Sequence, residues 1–111
     1  MAEPTIDLTT FTELQAAAGA AFITELVGTF LEEAPHMLAE LRSAQATGAG
    51  DAFRRAAHSL KSNSHTFGAT RLGALARDLE LGGLIADAGP LDELDAEYQR
   101  VAAALTELCR G

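Results

Sequence analysis

The chain has a single cysteine, Cys109, in 111 residues. One thiol cannot form an internal disulfide, and no C-x-x-C pair is present to hold a metal, so a reducing, cytoplasmic compartment is expected. Aromatic residues make up only 5%. With so few of them and an abundance of Ala and Leu, the composition fits helix packed on helix and disfavours a β-sandwich. Basic residues are scarce too: 8 Lys and Arg stand against 16 Asp and Glu, a formal net charge of −8. That balance argues against nucleic acid, whose binders carry a basic face, and against anionic membrane surfaces. No stretch approaches the roughly 20 apolar residues of a membrane-spanning helix. The N-terminus lacks a basic segment followed by a long apolar run, so no signal peptide is expected. His36, His58 and His65 have no acidic or cysteine companions at ligand spacing, and no bound metal is expected.

The length suits one domain with one core, spanning residues 1–111, with no internal repeat or low-complexity linker. Residues 1–8 read as a short leader. Thr9 or Thr10 caps a helix through Ala18 that turns Phe11 and Leu14 inward, and Gly19 stops it. A long helix follows from about Ala20 to Ala46, with a stripe of Phe22, Ile23, Leu26, Val27, Phe30, Leu31, Met37, Leu38 and Leu41. Pro35 should bend or split it, with Glu32 and Glu33 facing water. After a glycine-rich turn at Thr47–Gly50, Asp51 is the expected N-cap of a third helix ending at Gly68, a C′ glycine. Thr70 caps a fourth, with Leu72, Leu75, Ala76 and Leu79 inward and Gly82 and Gly83 weakening its end. Pro90 opens a fifth after the turn at Ala88, with a seam of Leu91, Leu94, Tyr98, Val101, Leu105 and Leu108. The fold class is all-α: an up-down antiparallel four-helix bundle with a short extra N-terminal helix.

The third helix is the informative one. At about 100° per residue, Phe53, Ala56, Ala57, Ser64 and Phe67 cluster around Leu60 on the buried face, while His58 falls roughly 160° away. Arg54, Arg55, Lys61, Ser62 and His65 flank it. A lone exposed histidine or lysine is commonly an ordinary surface residue; the combination is not. Lys61 and Ser62 lie three and four residues after His58 and Arg54 four before, so all are neighbours on the helix surface. An imidazole with a pKa of about 6.5 is mostly neutral near pH 7 and nucleophilic. A phosphoryl group placed on it would carry roughly two negative charges, which Lys61 could pair. Ser62 is small enough for another protein to approach the ring, and Ser64 lets a neighbouring helix come close.

The segment A-H-S-L-K-S-N-S, followed by F-G-A, resembles the histidine-containing phosphotransfer (HPt) domain of bacterial phosphorelays. That family's pattern, H-x-L-K-[GS]-x-[SA] with a downstream Gly, is met by His58, Leu60, Lys61, Ser62, Ser64 and Gly68. His65 stands where many members carry a polar side chain supporting the phosphohistidine. The helix layout extends the resemblance to nearly the whole chain. It implies that His58 accepts a phosphoryl group from a receiver-domain aspartate and relays it to another receiver. Lys61, Ser62 and His65 would support the group, and Arg54 and Arg55 would serve docking or electrostatics. Response-regulator receiver domains, and a hybrid histidine kinase, are the implied partners. The chain binds no cofactor itself, magnesium sits on the partner receiver, and a monomer is favoured. There is no Gly-rich phosphate loop, since G-A-G-D at residues 48–51 is too short, so neither ATP binding nor autonomous kinase activity is expected. Two other readings stand beside this one. The first is a helical protein-interaction module without phosphotransfer. The second is the phosphoacceptor domain of a chemotaxis-type histidine kinase. The latter commonly pairs its histidine with an acidic neighbour, whereas the near neighbours of His58 are basic or small, which ranks this reading below the phosphocarrier.

Overall fold

The structure, a computed structural model, describes residues 5–110. Five helices account for it, with no strand among the described residues: α1 Leu8–Ala18, α2 Ala20–Thr47, α3 Gly50–Thr66, α4 Thr70–Gly82 and α5 Gly89–Leu108. Helix α2 packs against α3 and α5, and α4 also packs against α3 and α5, so the four long helices close into a bundle. The short α1 lies on α2. This is the expected four-helix bundle with an extra N-terminal helix.

The N-terminal cap differs from the expectation. Asp7, not Thr9 or Thr10, caps α1: its carboxylate accepts from Thr9 N at 3.0 Å and Thr10 N at 3.3 Å. Asp is a strong N-cap because it satisfies free amides and adds negative charge at the positive end of the helix. The expected leader is also shorter than residues 1–8. Ile6 is buried in the core, and residues 1–4 lie outside the described residues. In α2 the buried stripe begins at Ile23 and continues through Val27, Phe30, Ala34, Leu38, Leu41 and Ala44. Phe22 lies outside it and is 51% exposed.

Pro35 does not split α2, which runs 28 residues through it. Proline lacks the N–H that would reach the Leu31 carbonyl four residues back. The Tyr98 hydroxyl from α5 approaches that carbonyl instead, at 3.4 Å. Asp51 is not the cap of α3; Ala49 holds that position, and Asp51 lies in the first turn, where its charge still suits the helix dipole. Likewise Ala69, not Thr70, occupies the N-cap of α4, and the Thr70 hydroxyl donates to Gly68 O at 3.3 Å.

The α3–α4 connection does follow the sequence. Gly68 has φ +81. Ala69 N donates to Ser64 O at 2.8 Å and Gly68 N to His65 O at 3.1 Å, the paired bonds of a Schellman ending. Gly68 O in turn accepts from Asp7 N at 2.8 Å, so this turn also anchors the start of α1. On the far side, the Gln45 side-chain amide donates to Ile85 O and accepts from Ile85 N, clamping the α4–α5 loop to α2. Phe30 packs against Phe67 and Tyr98 with ring centroids 5.4 and 6.1 Å apart. Fully buried Leu60, Leu72, Leu94 and Leu105 each contribute about 2 kcal/mol of burial to hold the helices in place.

Candidate functional site

Helix α3 buries Phe53, Ala56, Ala57, Leu60 and Ser64, the face read from the sequence. Ser64 satisfies its hydroxyl by donating to Leu60 O at 2.6 Å, so a polar residue can sit where the neighbouring helix approaches. With that face turned inward, His58 is directed outward and its side chain is 58% exposed. Arg54, Arg55, Ser62 and His65 are exposed as well, and Lys61 is half-buried.

The tight turn makes α3 and α4 an antiparallel hairpin centred on Ala69. His65 and Gly73 lie four residues to either side of Ala69, His58 and Glu80 eleven, and Arg54 and Gly83 fifteen and fourteen. All three pairs meet. The His65 ring lies over Gly73, where an added Cβ would fall 2.6 Å from Cε1 and Nε2. The Arg54 guanidinium lies over Gly83, where an added Cβ would fall 2.6 Å from Nη2. Between these two rungs, the Glu80 carboxylate reaches His58 Nδ1 at 2.6 Å and accepts from Lys61 Nζ at 2.7 Å.

Glu80 is the acid that the motif does not contain. It corrects the expectation that the surroundings of His58 are purely basic or small. The Lys61 ammonium, and next the His58 ring, hold the Glu80 carboxyl below its usual range. An ionised carboxylate only accepts hydrogen bonds, so the proton of the neutral imidazole resides on Nδ1. The lone pair is then on Nε2. Arg54, Arg55, His58, Ser59 and Glu80 together line an open recess of about 450 Å³. Lys61 joins this group through Glu80. Ser62 and His65 do not line the recess, and His65 is tied to Gly73 instead. Glu80 and Ser59 were missed in the sequence. The reflection about the Gly68–Ala69 turn was the available signal for Glu80.

The Hpt domain family model matches residues 25–104. The chain belongs to the Hpt domain family. The matched segment holds every residue of the recess, while α1 lies before it. Hpt domains are histidine-containing phosphotransfer modules, so the expected family is the one found. The fold agrees. The crystal structure of histidine-containing phosphotransfer protein B (HptB) from Pseudomonas aeruginosa PAO1 superposes with a TM-score of 0.89, covering 98% of this chain and 97% of that one. At 23% sequence identity, this likeness speaks for the fold. No curated protein matches the sequence. No single helix among the described residues is long and apolar enough to cross a membrane.

Proposed function

We propose that this Hpt domain is a phosphocarrier in a two-component phosphorelay, with His58 Nε2 as the phosphoacceptor. The observation that carries this is the Glu80 carboxylate 2.6 Å from His58 Nδ1, which leaves Nε2 as the free nucleophile in an exposed recess. The donor is an aspartyl phosphate on a receiver domain. The Nε2 lone pair forms a new N–P bond as the acyl O–P bond breaks, and the electron pair of that bond stays on the departing aspartate carboxylate. The phosphorylated ring keeps its Nδ1 proton and becomes cationic, a charge Glu80 faces directly. Reversal with a second receiver passes the group on.

In-line displacement of this kind depends on positioning and on charge at the phosphoryl oxygens. This chain supplies the nucleophile, its orientation through Glu80 and local cations. The receiver supplies magnesium. Lys61 is held beside the ring by Glu80, and Ser62 is small enough to leave the approach open. His65, seated on Gly73, supports the same face of α3. Residues 1–111 act as one domain, a monomer in the cytoplasm with no nucleic-acid or membrane partner.

The hydrogen-bonded His58–Glu80 pair also favours a second reading, the phosphoacceptor domain of a chemotaxis-type histidine kinase. The two differ in the donor. Intact mass is measured after incubation with phosphorylated receiver domains and magnesium, and separately with ATP and a kinase's ATP-binding domain. A phosphocarrier gains one acid-labile phosphoryl group from receivers, and His58→Gln abolishes the gain while melting normally. Gain only from the ATP-binding domain supports the second reading. Labelling that persists in His58→Gln removes His58 from either.

A further inference from the structure

Eight Lys and Arg serve this acidic chain. Five of them, Arg42, Lys61, Arg71, Arg100 and Arg110, are engaged in ion pairs, which leaves Arg54, Arg55 and Arg77 without one among the described residues. Two of these three line the recess with His58. Lys61, the cation of the motif, is committed to Glu80 at 2.7 Å. Lys61 and Glu80 therefore offset each other's charge. A phosphoryl group carries roughly two negative charges; the ring cation formed with it balances one, and Lys61, already paired with Glu80, leaves the other without a countercharge.

Arg54 and Arg55 both lie within one turn of His58 on α3, four and three residues before it. They differ in how they are held. The Arg54 guanidinium rests on Gly83 at the C-terminal end of α4, where a side chain would displace it. That end carries the negative pole of the helix dipole, which favours a cation. A guanidinium already seated loses less conformational freedom when it binds, and its planar fork matches two phosphoryl oxygens. No glycine seats Arg55 in this way among the described residues.

We propose that Arg54 is the second phosphoryl-binding cation of the site, taking the oxygens of the group carried on His58 Nε2. This assignment rests on His58 being the phosphoacceptor. Arg55 faces the same recess without holding the group; Glu80 is the other charged side chain that lines it, and Lys61 reaches the site through Glu80.

The test uses phosphoramidate as donor, so that no protein partner is involved. Its P–N bond breaks, ammonia leaves, and a P–N bond to His58 forms. The pH titration of the phosphohistidine ³¹P signal then reports the second ionisation of the phosphoryl group. An adjacent guanidinium favours the dianion, so Arg54→Gln should raise that pKa by about half a unit, the size expected of one partly exposed charge contact. Arg54→Lys should recover part of the shift, and Arg55→Gln should titrate like wild type. Arg54→Gln titrating like wild type overturns the assignment, as does a shift confined to Arg55→Gln. Wild type that gains no phosphoryl group on His58 overturns the acceptor reading and this inference with it, an outcome distinct from a labelled but unshifted variant. Arg54 is exposed, so its variants should melt with wild type.

Discussion

Replacing Gly68 by alanine isolates what the turn between the two helices of the site contributes. Gly68 has φ +81, and a Cβ there would meet Asp7 O at 2.8 Å, Thr10 Cβ at 3.2 Å and Asp7 N at 3.3 Å. Gly48 provides the control, with φ +72 and nothing within 4 Å of its Cβ position. Placing alanine in the left-handed region costs about 1–2 kcal/mol, partly offset by the smaller entropy of its unfolded chain, so Gly48→Ala should lose about 1 kcal/mol. Gly68→Ala carries the same strain and a backbone overlap besides. Relieving that overlap means moving Asp7, whose N–H donates to Gly68 O at 2.8 Å. Overpacking of about 1–3 kcal/mol and a hydrogen bond of about 1 kcal/mol are then at stake. With the shared strain of about 1 kcal/mol the total is about 3–5 kcal/mol, which corresponds to a melting temperature lower by roughly 10–20 °C for a domain of this size. Urea unfolding of the two variants beside wild type gives the comparison. Costs for Gly68→Ala and Gly48→Ala that agree within about 0.5 kcal/mol would refute a steric role for the α1 contact.

Two further perturbations test the fold and the electrostatics of the site. Pro35→Ala restores the amide that Leu31 O lacks and should stabilise the domain by about 1–3 kcal/mol. Tyr98→Phe should then cost less in that background than in wild type, and equal costs in the double-mutant cycle would break the link between Pro35 and Tyr98. Lys61 and His58 hold the Glu80 carboxyl below its ordinary value of about 4.5. Its contribution to stability is therefore fully present above that value and is lost as pH falls through the lowered one. Glu80→Gln should flatten the acid limb of the stability profile below about pH 4.5 in urea midpoints taken across that range, and an unchanged limb would show that the Glu80 contacts contribute nothing.

The buried face of α3 was legible because Phe53, Ala56, Ala57, Leu60 and Ser64 follow one helical period, and that period alone places His58 on the opposite side. Gly68 was legible because a left-handed residue after an apolar helix is a local requirement. The caps were less so. Asp7, Thr9 and Thr10 all suit an N-terminus, and only the observed path of the chain selects Asp7. Phe22 read as core because it neighbours Ile23, yet the packed face of α2 is narrower than the apolar run. Glu80 was hidden for a different reason. Reading outward from His58 along one helix finds Arg54, Arg55, Lys61 and His65, but the carboxylate arrives from 22 residues away. Its placement depends on how two helices align, which local periodicity does not encode.

That alignment gives the short segment between α3 and α4 a second significance. The residues facing His65, His58 and Arg54 are assigned by counting from the bend, so its length works as a ruler for the chemistry downstream. One residue added there would rotate α4 by about 100° and shift it by about 1.5 Å relative to the bend. If α4 kept that displacement, Glu80 would leave the imidazole while every residue of the phosphotransfer motif stayed intact. The heritable unit of this site is accordingly the hairpin, and a histidine helix transplanted without its return strand of α-helix would arrive without its acid.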